Sequence, residues 1–467
     1  MTLSGAKRSR FLVGLGAGLA CLGLAWLLWL TFAQTFVVQW NAPRLAPAAA
    51  LVRGLNIYGT AQHGPFLGWI YGPVFPLVFA SIAWLPDQVS IHAAAWMLNL
   101  LLAAGPVWLA ARCGAGRRAG GAALVAGALL ALGLGPAWTA LSFIHVDLLC
   151  CAFGIIACVA LARRLAGGGP RWTIVAACAS VLALGTKQVA PGLVVGLAGW
   201  LWASGDRREL GRYLGWLALG GIVAVGAMGA VFGLAGPMFS LWTIHLHNPF
   251  SPDFGSLLRL WFGDRFREIV PLAMVCVVLR PDRPTATPHP VADRLERALG
   301  WVALAHLPFG LLAAAKVAGG LNSVHTFNYL GCLLVVRLAR VFEEPARLGR
   351  AARVALIAAV ALSWAQGWHG ARRAGLPEWP PVQRLRDDEA LARRQPGRVY
   401  FPWNPLVTVI VEHQVRPFDD ALLCLERCGL PADRAAVRGA IPSGALVVYP
   451  DPAQSTFALR FLNEPQR

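Results

Sequence analysis

Apolar runs of bilayer-spanning length alternate along the chain with short polar segments. A helix needs roughly 20 predominantly apolar residues to cross a hydrocarbon core. By that measure spans are predicted at 11–32, 91–111, 120–142, 148–162, 172–186, 190–204, 213–235, 269–280, 298–315, 325–341 and 354–370, about eleven in all. The apolar stretch 65–86 is also long enough. Counting it would throw the following arginines, Arg112, Arg117 and Arg118, onto the wrong side, so it is read as a re-entrant or juxtamembrane segment. The basic N-terminal flank MTLSGAKRSR has the look of a signal sequence. The apolar run after it exceeds a signal h-region of about 7 to 15 residues, so it is read as a retained first helix with a cytoplasmic N-terminus.

The polar segments then take sides. ARRLAGGGPR, GDRRELGR, the Pro-rich RPDRPTATPHPVADRLER and EEPARLGRAAR fall inside, the last but one as a linker of little structure. The opposite face receives a first loop over 34–90, FIHVD, GTKQ, a fourth loop over 236–268, and AKVAGGLNSVH. Residues 371–467 differ in kind, being charged and without a spanning run. VYFPWNPLVTVIVEH and GALVVYP have the β-branched and aromatic content of strands. DDALLCLERCG reads as a helix with Asp419 as N-cap and Gly429 at its end. The fold class is therefore an α-helical polytopic membrane protein, N-terminus in and C-terminus out. It comprises a transmembrane domain over 1–370 and a small extracytoplasmic α/β domain over 371–467.

Composition agrees: of 467 residues 57% are hydrophobic and 14% charged, and the mean hydropathy is +0.56, too apolar for a soluble globule. The net charge of +18 raises nucleic acid as a partner. The basic residues lie in short clusters between apolar runs, where the positive-inside rule accounts for them, and no nucleic-acid partner is expected. Most of the ten cysteines sit inside apolar runs as small hydrophobes. Cys424 and Cys428 are four apart, without further ligands at zinc spacing.

Ionisable groups on the outer face are the informative ones, because that face should be poor in cations and such groups are costly near hydrocarbon. Asn41, Arg44 and Arg53 stand in the first loop, and His145 and Asp147 in the second. Lys187 stands in the third, His245 and His247 in the fourth, Lys316, Asn322 and His325 in the fifth. Lys187, Lys316 and Arg44 suit a phosphate at bilayer depth. Asp147, beside an apolar helix start, fits a base, a metal ligand or the partner of a cation, and equally a helix N-cap; His145 is two residues away. His245 and His247 would share one face of an extended strand but not of a helix. Trp40, Tyr58, Trp69 and Tyr71 are aromatics of the kind that settle at an interface.

The order of these segments resembles the GT-C superfamily of membrane glycosyltransferases, which includes protein O-mannosyltransferases and the aminoarabinose transferase of lipid A. The resemblance covers roughly residues 10–345 and rests on placement more than identity. NAPRLAPAAALVRG with LNIYG looks like the family's first-loop motif, FIHVD like its second-loop Asp and LGTKQ like its Thr-Lys. FSLWTIHLHNPF takes the place of the amphipathic fourth-loop helix with its histidine, and AKVAGGLNSVHTFNYL that of the lysine-bearing fifth loop. With IYGP and the outer tail, the set looks most like bacterial membrane proteins described only as glycosyltransferases of unassigned specificity.

The resemblance implies a polyprenyl-phosphate-sugar donor and a lipid, glycan or protein acceptor. It places the protein in a bacterial cytoplasmic membrane with its site facing the periplasm or exterior. Catalytic roles would fall to Asp147, Asn41 and His145, and donor-phosphate binding to Lys187, Arg44 and Lys316. Tyr58, Tyr71, His245, His247 and Asn322 are further site candidates. The resemblance fixes no cofactor and leaves a divalent metal open. One departure stands out: where the family has its first-loop carboxylate this chain has Asn41, and no Asp or Glu occurs from 34 to 86. Asp147 takes over the proton, or the acceptor needs no strong base, or transfer has been lost. A transporter or lipid flippase, and a non-catalytic relative that binds the lipid carrier, are the alternatives.

Overall fold

The computed structural model describes residues 40–58, 69–114, 144–250, 266–278, 290–316, 325–343, 382–430 and 433–448, with Gly255 and Leu258. The spans expected at 11–32, 120–142 and 354–370 lie outside the described residues, as does Asn322.

The described residues are mostly helical. In chain order they form α1 (Asn41–Val52), α2 (Val74–Ala83), α3 (Gln88–Gly114), α4 (Val146–Leu165), α5 (Arg171–Leu184), α6 (Pro191–Ala203) and α7 (Arg207–Phe232). A broken helix follows, Ala235–Met238, a π turn Phe239–Thr243 and Ile244–His247, then α8 (Phe266–Val278), α9 (Pro290–Ala314) and α10 (Thr326–Glu343). Four of these, α3, α4, α7 and α9, are long and apolar enough to cross a membrane.

Helix α4 is the axis of the bundle, packing on α3, α5 and α9, while α9 also packs on α6 and α10. Its buried face is built from small residues, among them Cys150, Cys151, Ala157 and Cys158, which let neighbours approach closely. At Gly154 the approach is so close that a Cβ would lie 2.0 Å from the Tyr329 hydroxyl. The far end of α4 is fixed by ions: Glu209 pairs with Arg164 at 3.0 Å and Arg212 at 3.3 Å and accepts from Thr173. Between α9 and α10, Glu296 takes Arg337 at 2.9 Å and Arg340 at 2.7 Å. The helical α9 begins at Pro290, so VADRLER, expected to be an unstructured linker, is helix. Pro290 occupies the opening position, where its missing N–H costs nothing, and Glu296 is held by α10.

The C-terminal part contains α11 (Val382–Arg394), β1 (Val399–Tyr400), α12 (Pro405–Glu412), α13 (Asp419–Arg427), α14 (Arg434–Ala440) and β2 (Leu446–Val447). The two strands pair in parallel, Val399 with Leu446 and Tyr400 with Val447. The strand expected through PLVTVIVE is instead α12. Pro405 sets the first turn, and Leu406, Val409 and Ile410 are buried in one cluster with Leu45, Ala46 and Ala49 of α1, so tertiary burial overrides β propensity. Asp419 is the first helical residue of α13 rather than its N-cap, which is Phe418; Gly429, just past the end, has φ +64°. Glu389 of α11 accepts from the Gln88 backbone at 3.0 Å, joining this part to the start of α3.

Candidate active site

Asp147 lies in the first turn of α4, at the end away from the ion clusters, where a carboxylate is favoured by the helix dipole. It does not cap the helix. The N-cap is His145, in extended conformation, and the Asp147 side chain turns inward and is 2% exposed. One oxygen, Oδ1, receives Lys187 Nζ at 2.5 Å and His325 Nε2 at 2.5 Å. The other, Oδ2, receives His145 Nδ1. Three buried N–H donors on one buried carboxylate fix it as an anion with no oxygen left over.

The tautomers follow. His145 donates from Nδ1, so the neutral ring offers Nε2 as an acceptor, and the Tyr71 hydroxyl stands 3.2 Å from it. Burial holds His145 down at about 4, outweighing Asp147, which pulls the other way. The ring therefore keeps its lone pair at neutral pH. Burial also works against the Lys187 ammonium, but Asp147 outweighs it and the group is raised above its ordinary value. It stays charged.

The first segment supplies the other wall. Gly72 meets Gly185 so closely that a Cβ on Gly72 would lie 1.8 Å from the Gly185 carbonyl oxygen, which already accepts from Val74 N at 3.2 Å. That contact puts Tyr71 beside the turn carrying Lys187. Gln188 donates to the Ile70 carbonyl at 2.6 Å, and Tyr58 to that of Tyr71 at 2.8 Å. Asn41 is buried at the head of α1, and its Oδ1 accepts from Ile144 N at 2.9 Å, anchoring the backbone next to His145. The Arg44 guanidinium lies 5.0 Å over the Tyr71 ring, its Nε buried without a hydrogen bond. Arg53 turns away, to the carbonyls of Ala49 at 3.0 Å and Ala83 at 3.2 Å.

His245 and His247 are helical, not extended, because the π turn before them continues the helix into Ile244. They therefore part. His245 reaches the Ile70 carbonyl at 2.9 Å, and burial lowers its proton affinity, whereas His247 turns back to its own helix, to the Thr243 carbonyl at 2.8 Å. Lys316 Nζ donates to the carbonyls of His245 at 2.6 Å and Asn248 at 3.1 Å. Among the described residues, no group of three His, Cys, Asp or Glu is placed to hold a metal ion.

All of this opens on one cavity of about 1140 Å³. Arg44, Tyr71, His145, Asp147, Lys187, His245 and Lys316 line its polar end, and Leu184, Leu217, Val225, Met228 and Leu312 its apolar side. Tyr58 and Asn41 stand behind the wall rather than in it. Two contacts at the site are not apparent from the sequence, although His325 stands among its outer-face groups. His325 binds Asp147 across 178 positions, its only local signal being a histidine at a helix mouth. Beneath it His306 stacks on Tyr329, ring centroids 5.0 Å apart, and extends the polar column into the bundle. Cys424 and Arg427 of α13 also reach the cavity.

Residues 69–280 match the model of glycosyltransferase family 87. No curated protein matches the sequence. The chain is similar to the solved structure of ArnT from Cupriavidus metallidurans bound to undecaprenyl phosphate, with 16% identity and a TM-score of 0.48 over 91% of this chain and 76% of that one. It is similar also to ArnT from Cupriavidus metallidurans in the apo state, with 19% identity and a TM-score of 0.49 over the same shares.

Proposed function

We propose that this chain, matched over residues 69–280 by glycosyltransferase family 87, transfers a sugar within a membrane from a polyprenyl-phosphate donor to an acceptor hydroxyl on the extracytoplasmic face. The observation that carries the assignment of roles is the buried Asp147, held by Lys187, His325 and His145 at the polar end of a cavity whose long side is apolar. An isoprenoid chain fits the apolar side, and a phosphate fits the cations at the other end.

Arg44, Lys187 and Lys316 receive the donor phosphate. The acceptor oxygen attacks the anomeric carbon, a C–O bond forms, and the bond from that carbon to the phosphate oxygen breaks with its electron pair passing to the phosphate. Negative charge grows there as it leaves, and cations placed beforehand stabilise it. The acceptor's proton passes to His145 Nε2, where the Tyr71 hydroxyl now sits. Asp147 holds the imidazole in the tautomer that leaves Nε2 open and stabilises the ring once it is charged, as an orienting carboxylate does for a histidine base. Asn41 acts through the Ile144 backbone as a positioning residue. In this arrangement a first-loop acid is unnecessary, because the proton acceptor comes from the segment before α4. Tyr58, by supporting Tyr71, keeps the hydroxyl in register.

The test is to purify the protein in mild detergent and identify bound lipid by mass spectrometry, comparing wild type with Arg44→Ala and Lys316→Ala. A polyprenyl-phosphate sugar that co-purifies with wild type and is depleted in both variants supports the reading. Bulk phospholipid alone in all three samples overturns it.

A further inference from the structure

At the end of α4 remote from the cavity, the arginines do not all find a counterion. Helix α4 runs 20 residues from Val146 to Leu165, roughly 30 Å, the thickness of a hydrocarbon core. With Asp147 near one membrane surface, Arg163 and Arg164 in the last turn stand near the other. Arg164 and Arg212 are held by Glu209, and Arg294 reaches Asp206 at 3.9 Å. Arg163 and Arg171 form no ion pair among the described residues. They gather instead on one indole, their Cζ atoms 4.8 Å and 5.7 Å from the ring centre of Trp172, and Arg163 also meets the Cys113 thiol. An indole attracts a guanidinium through its ring electrons but cancels none of its charge.

The platform is held in place. Gly168 donates to the Arg163 carbonyl at 2.9 Å, and its own carbonyl accepts from Arg164 at 2.8 Å. A Cβ on Gly168 would lie 2.6 Å from the Arg163 carbonyl oxygen and 2.8 Å from Trp172 Cδ1, so the turn between α4 and α5 presses directly on the indole. Helix α5 then continues from the charge into the apolar layer. Arg171, Val175, Cys178 and Leu182 follow one another at spacings of four, three and four, on one face of the helix, and all four are exposed. A guanidinium at the membrane surface with an apolar stripe beneath it matches an anionic head that carries an acyl chain. An acidic peptide or a free anion would leave the stripe unused.

We propose that Arg163 and Arg171, gathered on Trp172, form a docking site for the phosphate of an anionic glycerophospholipid whose acyl chain lies along Val175, Cys178 and Leu182. The site lies at the membrane surface opposite the cavity and is independent of the transfer reaction. Bound there, the lipid bridges α4 and α5 and supplies the negative charge that neither helix provides.

The experiment uses the full chain, delipidated in dodecyl maltoside. Native mass spectrometry counts bound lipid, and tryptophan fluorescence follows the thermal midpoint. Dioleoyl phosphatidylglycerol is titrated in parallel with zwitterionic dioleoyl phosphatidylcholine. The expected result is that phosphatidylglycerol is retained and raises the midpoint more than phosphatidylcholine does. Its apparent affinity falls about tenfold in Arg163→Gln/Arg171→Gln and less in Arg163→Lys/Arg171→Lys. Arg207→Gln/Arg208→Gln removes the same charge from exposed side chains beside Glu209, at the same membrane surface, and leaves the affinity within about twofold. Should the first double variant not fold, Arg171→Gln alone, at an exposed side chain, is expected to lose about threefold. Equal losses in the two glutamine pairs mean diffuse attraction to a basic surface and overturn the site. So does equal binding of the two lipids, or inorganic phosphate reproducing the shift given by phosphatidylglycerol, which would assign the cations to a free anion.

Discussion

The ion pair between Asp147 and Lys187 offers a sharp test of how the site is held. Both groups are buried, 2% and 6% exposed, with nitrogen and oxygen 2.5 Å apart. Asp147→Asn leaves an ammonium enclosed beside an amide; Lys187→Met leaves a carboxylate with only two imidazoles. Breaking a buried pair by removing one partner typically costs about 3–5 kcal/mol, because the other charge stays behind. The double variant leaves no charge behind. It should be destabilised by much less than the sum of the single changes, with a coupling of about 2–3 kcal/mol. The assay is equilibrium unfolding in mixed micelles of rising dodecyl sulfate fraction, followed by tryptophan fluorescence, on wild type, both singles and the double. Transfer activity should be lost in all three variants, so stability is the discriminating readout. Single effects that add to within about 0.5 kcal/mol, as they do for residues that share no partner, would refute the pairing.

His145→Asn should reduce kcat for transfer by about 10²–10⁴-fold, the usual worth of a positioned base, while polyprenyl-phosphate binding persists; equal losses in both would refute the proton role. Gly72→Ala forces a methyl onto the Gly185 carbonyl and should destabilise by about 1–3 kcal/mol in the same unfolding assay, with Gly54→Ala as a control that meets nothing within 4 Å but carries positive-φ strain. Acid should also destabilise. The folded His145 is held at about 4, below its ordinary value near 6.5, so its neutral form is the folded one. No penalty exists above about pH 6.5, and it grows to roughly 3 kcal/mol as pH falls towards 4, read as a falling unfolding midpoint that flattens in a His145→Asn background. Glu296→Gln should loosen the α9–α10 contact by about 1–3 kcal/mol, since two partly buried arginines lose their shared carboxylate, and Arg337→Lys should cost less.

Much of the bundle could be read from its apolar runs. Helices α4 and α10 begin and end within a few residues of 148–162 and 325–341, because arginine clusters punctuate long apolar stretches, whereas α7 ends near 235 but starts already at Arg207, within the expected loop GDRRELGR. The polar helices were harder. VTVIVE carries β-branched residues and becomes helical through burial against α1, a partner some 360 positions away. The chemistry was legible one residue at a time: Asp147, His145 and Lys187 stand out as ionisable groups at helix mouths. Their convergence was not. It depends on Gly72 meeting Gly185 and on His325 crossing the bundle, and neither leaves a local pattern. The paired histidines misled for a related reason, since the π turn over Phe239–Thr243 turns a two-residue spacing from one shared face into two opposed ones.

The apolar wall of the cavity bears on how the protein should be measured. Leu184, Val225, Trp242, Leu246 and Leu312 line the cavity and are each exposed, so among the described residues its apolar side is open to whatever apolar phase surrounds it rather than sealed. A substrate dissolved in that phase reaches the site by lateral diffusion in two dimensions and need not pass through water. The relevant concentration is then a mole fraction within the lipid or micelle. Adding inert detergent at constant bulk substrate would slow turnover, and a Michaelis constant quoted in moles per litre would change with each micelle preparation.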